Sequence, residues 1–149
     1  MKQLILTLIL VTLSAPICFG EWSKVMVVVD DSFTHYVDFD SIIVPTSLGM
    51  AREDDGDVHY WYLLDYVERG ETGEISAKVY NQGDCGVFRK KILTTSYFSQ
   101  PMGEGTMVVG SAEPDEGWTY PTPDSVGEFI LKRVCQIVET KKNQDEMVQ

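Results

Sequence analysis

Histidine and cysteine are scarce in this chain, with two of the first and three of the second among 149 residues. His35 and His59 lie far apart, and neither has a Cys, Asp or Glu nearby at the spacing of a zinc site. No Gly-x-Ser-x-Gly turn occurs, so the nucleophile elbow of a hydrolase is missing. Met102-Gly103-Glu104-Gly105-Thr106 carries glycines but no lysine in the phosphate-loop position, and reads as a turn. Glu53-Asp54-Asp55-Gly56-Asp57 lacks the alternating ligands and distant Glu of a calcium loop, and reads as a charged hairpin tip. The expectation is a chain with no catalytic residue, no metal site and no cofactor.

Positive charge is also short: 12 Lys and Arg stand against 23 Asp and Glu. A field of that sign repels nucleic acid and anionic lipid surfaces, which makes both poor partners. The one basic cluster, Arg89-Lys90-Lys91, alternates between faces of a strand and reads as protection of an exposed sheet edge. Aromatic residues make up 11% of the chain, which fits a folded globule and not an acidic disordered segment.

Long apolar runs are missing except at the start. Met1-Lys2 precedes a nearly continuous apolar stretch from Leu4 to Leu13, broken by Ser14-Ala15-Pro16. Cys18-Phe19-Gly20 puts small residues where a signal peptidase reads, so residues 1–20 are expected to be a cleaved signal peptide. The run is about half the ~20 residues a membrane span needs, so no span is expected in the mature chain. Ile17 and Pro16 precede Cys18 where a lipoprotein signal has Gly, Ala or Ser, which argues against a lipid anchor. Removal of 20 residues leaves 129, one domain's worth, with a net charge of about −12 once Lys2 is gone. The expected location is the periplasm or the cell surface.

Two cysteines, Cys85 and Cys135, survive processing. An oxidising compartment favours bonding an even pair; two separate buried thiols are the alternative. A bond would close a 50-residue interval and stabilise by about 4 kcal/mol on the chain-entropy account.

The pattern along the mature chain is β-rich. Val25 to Val29 is a β-branched run, His35 to Phe39 alternates, and Pro45 keeps its stretch at an edge or in a loop. Ser47 to Arg52 reads as a short strand before an Asp-Gly hairpin turn. Val58 to Val67 is the strongest strand. His59, Trp61, Leu63 and Asp65 fall on one of its faces, and Tyr60, Tyr62, Leu64 and Tyr66 on the other. Large side chains on both faces suggest a central strand, or one face kept for a partner. Ile75 to Tyr80, Val87 to Phe98 and Met107 to Val109 follow, with turns expected at Asn81 to Asp84 and at Ser99 to Gly105. Trp118 and Tyr120 are expected to pack down onto the domain.

Ser125 and Glu128 form a capping-box pattern ahead of Val126, Phe129, Ile130, Val134, Ile137 and Val138, which recur at helical spacing. A helix over about 126–138 follows, with 139–149 a polar, disordered tail. The fold class is therefore α+β: an antiparallel β-sheet meander with one C-terminal α-helix packed on a face, in a single domain of residues 21–138.

The order of the pieces adds a resemblance. Trp22 is followed by His35-Tyr36-Val37-Asp38-Phe39-Asp40-Ser41-Ile42, then Trp61-Tyr62-Leu63-Leu64-Asp65-Tyr66, Ser76-Ala77-Lys78 and Asp84-Cys85. Tyr97, Pro101 to Gly105, Trp118-Thr119-Tyr120-Pro121, Pro123-Asp124-Ser125 and Val134-Cys135 complete it. From Trp22 to Cys135 the sequence resembles the bacterial surface-adhesin protein E-like family. The resemblance implies an antiparallel sheet with a C-terminal helix, a disulfide joining Cys85 to Cys135, a Gram-negative source, homodimers and no enzymatic activity. It further implies protein partners, since the family's namesake binds host matrix and serum proteins. The expected function is that of an exported, non-catalytic, adhesin-like binding protein, with a soluble periplasmic accessory or envelope-structural protein as the alternative. Tyr60, Tyr62 and Tyr66 are the expected partner-binding residues.

Overall fold

The computed structural model describes residues 22–25, 32–45, 57–112 and 117–147. The expected signal peptide, the expected continuation of the first strand to Val29, the expected strand at 47–52 and the expected Asp55-Gly56 turn lie outside these residues. Six strands form one antiparallel sheet in strict sequence order: β1 (Ser23–Val25), β2 (Phe33–Ile43), β3 (Asp57–Tyr66), β4 (Ser76–Asp84), β5 (Arg89–Gln100) and β6 (Glu104–Ala112). The sheet curls into a half-barrel, and one helix, α1 (Val126–Glu146), lies against β2 and β3.

Local chemistry shapes the strands. The β2–β3 register holds from Phe33↔Tyr66 to Asp38↔Trp61 and then slips before Ile43↔His59. Asp38 explains the slip. Its carboxylate accepts from the amides of Asp40 and Ser41 at 3.0 and 3.1 Å, and its carbonyl accepts from the Ser41 hydroxyl. The Ser41 oxygen in turn accepts from the amide of Trp61, so side chains replace the ladder across the bulge.

Between β4 and β5 the turn comes later than the sequence suggests. Asn81 to Asp84 stay in β4 and residues 85–88 make the turn. The Asp84 carboxylate closes it, accepting from the Val87 amide at 2.9 Å and from Arg89 Nε at 2.9 Å. Burial works against that charge, but the hydrogen bonds and the guanidinium hold Asp84 below the usual carboxylate range.

The C-terminal end of β5 is fastened by β3 and β4. Pro101–Gly103 form a tight 3₁₀ turn in which Met102 has φ 59° and Gly103 has φ 68°. The Met102 amide donates to Asp65 Oδ1 at 2.7 Å, and the Gly103 amide donates to Ser76 Oγ at 2.9 Å. β6 then runs from Glu104, well before the expected start at Met107.

The core lies between α1 and the sheet. Val37, Ile42, Val58 and Tyr60 meet Ile130, Leu131, Val134 and Val138. Leu131 belongs to the buried stripe, whereas Phe129, expected there, is 50% exposed. Gly83 makes room for Leu131: a Cβ at that position would lie 2.7 Å from Leu131 Cδ1 and 3.1 Å from Val58 Cγ1. The helix is capped much as the sequence suggests. Ser125 Oγ accepts from the Glu128 amide, while the Glu128 carboxylate reaches back to the amide of Asp124. Nothing in Glu139 to Glu146 stops a helix, and α1 continues past the expected end at Val138 to Glu146, so the expected tail is mostly helical.

The disulfide joins Cys85, in the β4–β5 turn, to Cys135, in the middle of α1, with Cα atoms 5.6 Å apart. That separation lies in the range an ordinary disulfide spans. It ties the helix to the sheet at the end opposite the Asp65–Met102 fastening.

Candidate partner-binding surface

The alternating row Tyr60, Tyr62, Leu64 and Tyr66 lies on the helix side of β3, but the helix covers only one end of it. Tyr60 is 1% exposed, sealed between sheet and helix. It therefore has no surface to give a partner, and it acts as a core residue. Burial, followed by the neighbouring Tyr62, pushes its hydroxyl well above the ordinary tyrosine range. Tyr62 is half-buried beside the core, and burial pushes it up to about 12. Tyr66 stands roughly 13 Å further along the strand, where the chain leaves the cover of the core.

Around Tyr66 the surface is aromatic and apolar. Phe33 is paired with it across β2 and β3; the rings meet edge to face with centroids 5.2 Å apart. Phe33 is 42% exposed and Val67 68%. Together with Ser32, Glu68 and Gly70 they line an open cavity of about 590 Å³. Tyr97 comes to the same face through the register Leu64↔Ala77↔Tyr97, and it helps to raise the Tyr66 hydroxyl after burial itself. The three expected tyrosines thus divide, one into the core, one at its margin and one into an exposed aromatic end. Phe33 and Tyr97 join that end only through strand pairing, which sequence alternation does not reveal.

The opposite face of the sheet carries Trp61 stacked on Tyr80, with centroids 4.7 Å apart, and His59 Nδ1 3.2 Å from the Tyr80 hydroxyl. The basic cluster is not edge protection. The Lys90 backbone pairs with Thr119 through amide–carbonyl bonds of 2.8 and 2.9 Å, so residues 118–119 cover that part of β5. Arg89 and Lys91 lie over the Trp118 ring, which does pack down, whereas Tyr120 is 68% exposed. Among the described residues no cluster of His, Cys, Asp and Glu could hold a metal ion, and no helix is long and apolar enough to cross a membrane.

The family model for surface-adhesin protein E matches residues 22–136. The chain belongs to the surface-adhesin protein E family. The search of curated proteins gave no match. Two solved structures of Haemophilus influenzae protein E are similar in fold, both at 18% identity. One superimposes with a TM-score of 0.52 over 76% of this chain and 84% of that one. The second crystal form gives 0.53 over 82% and 94%. At that identity the likeness between this surface-adhesin protein E member and those structures is one of fold.

Proposed function

We propose that this is an exported, non-catalytic binding protein, adhesin-like in action, whose protein partner docks on the aromatic end of the sheet. The observation that carries this reading is the exposed pair Phe33 and Val67 with the half-buried Tyr66 around an open cavity. Glu68, Arg69 and Glu71 are exposed beside it, giving the apolar centre the polar rim common at protein interfaces. Family membership and the disulfide support export, and they make host matrix and serum proteins the first partners to screen. In a solid-phase assay against those proteins, the double variant Phe33→Ala, Tyr66→Ala should bind roughly tenfold more weakly or worse, because aromatic anchors dominate such interfaces. Unchanged binding would remove this surface from the reading.

Ile17 ahead of Cys18 favours a second reading, a soluble periplasmic accessory protein. Protease shaving of intact cells separates the two. Removal of the domain while a periplasmic control survives supports surface display; cleavage only after the outer membrane is opened supports the periplasmic protein.

A further inference from the structure

A second, smaller cavity of about 80 Å³ lies where the first turn of α1 meets the sheet. Its walls are His35, Tyr60, Tyr62, Lys90, Val126, Gly127 and Ile130. The capping bonds leave a definite remainder there. Ser125 N donates to the Thr122 carbonyl, Asp124 N to Glu128, and Glu128 N to Ser125 Oγ. The amides of Val126 and Gly127 are the first-turn donors with no acceptor among the described residues, and both residues line the cavity. Tyr60 also lines it, is 1% exposed, and its hydroxyl makes no hydrogen bond among the described residues. Lys90 Nζ sits 5.8 Å from the Tyr62 ring centroid at the same wall. No Asp or Glu is among the lining residues.

A site that gathers these amide and hydroxyl donors at the positive end of a 21-residue helix suits negative charge. We propose that this cavity binds a small anion, held by the Val126 and Gly127 amides and the Tyr60 and Tyr62 hydroxyls, with Lys90 adding positive charge. Its volume, several times the roughly 10–15 Å³ that seats one water, admits an ion of formate or nitrate size. Burial keeps both tyrosines protonated through the physiological range, so they remain donors. The chain's net charge works against anions in general, which makes a modest affinity the expectation.

The test is an amide-resolved NMR titration of the mature protein with sodium formate, with sodium gluconate, whose carboxylate carries a bulky polyol chain, holding ionic strength constant. Saturable shifts of the Val126 and Gly127 amides are expected. In Tyr60→Phe, which removes one oxygen, the apparent affinity should fall roughly tenfold, the worth of one hydrogen bond to a charged group. Gly127→Ala gives a second variant should Tyr60→Phe not fold. Its Cβ would sit 3.5 Å from Lys90 Cε and 3.6 Å from Lys90 Nζ, an ordinary contact, so the fold is kept while a methyl enters the wall. That variant should also weaken formate, read on Val126. Shifts that stay linear with formate, or that are the same in wild type and variant, would leave only water in the cavity and overturn the proposal.

Discussion

Asp65 shows how a single carboxylate can hold a segment and still cost stability. Its Oδ1 accepts from the amide of Met102, in the strained 3₁₀ turn that ends β5. Burial raises its pKa, and the Met102 hydrogen bond opposes the rise without cancelling it. A folded pKa above the unfolded value means that the folded state binds the proton more tightly. Its stabilising contribution is then fully present below the unfolded value near 3.9, and it is lost as pH rises through the raised folded pKa. Asp65→Asn keeps an oxygen that can accept from Met102 and removes the buried charge. That variant should therefore be more stable than wild type at pH 7, with the gain shrinking to nothing on the acid side. Urea unfolding at several pH values checks it. A loss at pH 7 would mean that the charged form's bond to Met102 outweighs its desolvation.

At the scale of elements, Gly83 decides how closely helix and sheet approach. The position is buried and its backbone is ordinary strand, so the glycine is there for space. Gly83→Ala would crowd Leu131 and Val58, both fully buried, and should destabilise by about 1–2 kcal/mol. In a Leu131→Val background the same change should cost less than the sum of the single effects, because the clashing methyl is drawn back. Thermal unfolding of the four proteins measures that coupling. Gly83 also illustrates why parts of the fold were legible in the sequence and parts were not. Asn81-Gln82-Gly83-Asp84 has turn composition, yet a buried Asn81, the Gln82–Asp57 hydrogen bond and the need for a small residue under Leu131 keep it in the sheet. Hydrophobic period, by contrast, marked β3, the long β5 and the core stripe of α1, because it depends only on which face is buried. The capping box was legible for the same local reason. What period cannot give is register. Phe33 meeting Tyr66, and the helix covering Tyr60 but not Tyr66, are facts of pairing and docking, so the row of three tyrosines looked uniform in sequence and is not.

For the molecule as a whole, the open question of force is what keeps one amphipathic helix on a sheet whose other face has no helix against it among the described residues. Two terms contribute: the buried stripe of Ile130, Leu131, Val134 and Val138, and the bond from Cys135 to the β4–β5 turn. The bond closes a 50-residue interval containing β5 and β6, so its loss frees the unfolded chain to sample far more conformations. On that account, reduction or the double variant Cys85→Ser, Cys135→Ser should lower stability by about 4 kcal/mol. This is a large share of the 5–15 kcal/mol that holds typical domains together. Such a domain would depend on reaching an oxidising compartment, which agrees with the export proposed for it. Urea unfolding with and without a thiol reductant measures the difference, and the serine variant separates the bond from side effects of the reductant. A loss under about 1 kcal/mol would assign the docking of α1 to its apolar stripe, and would make the fold indifferent to the redox state of its surroundings.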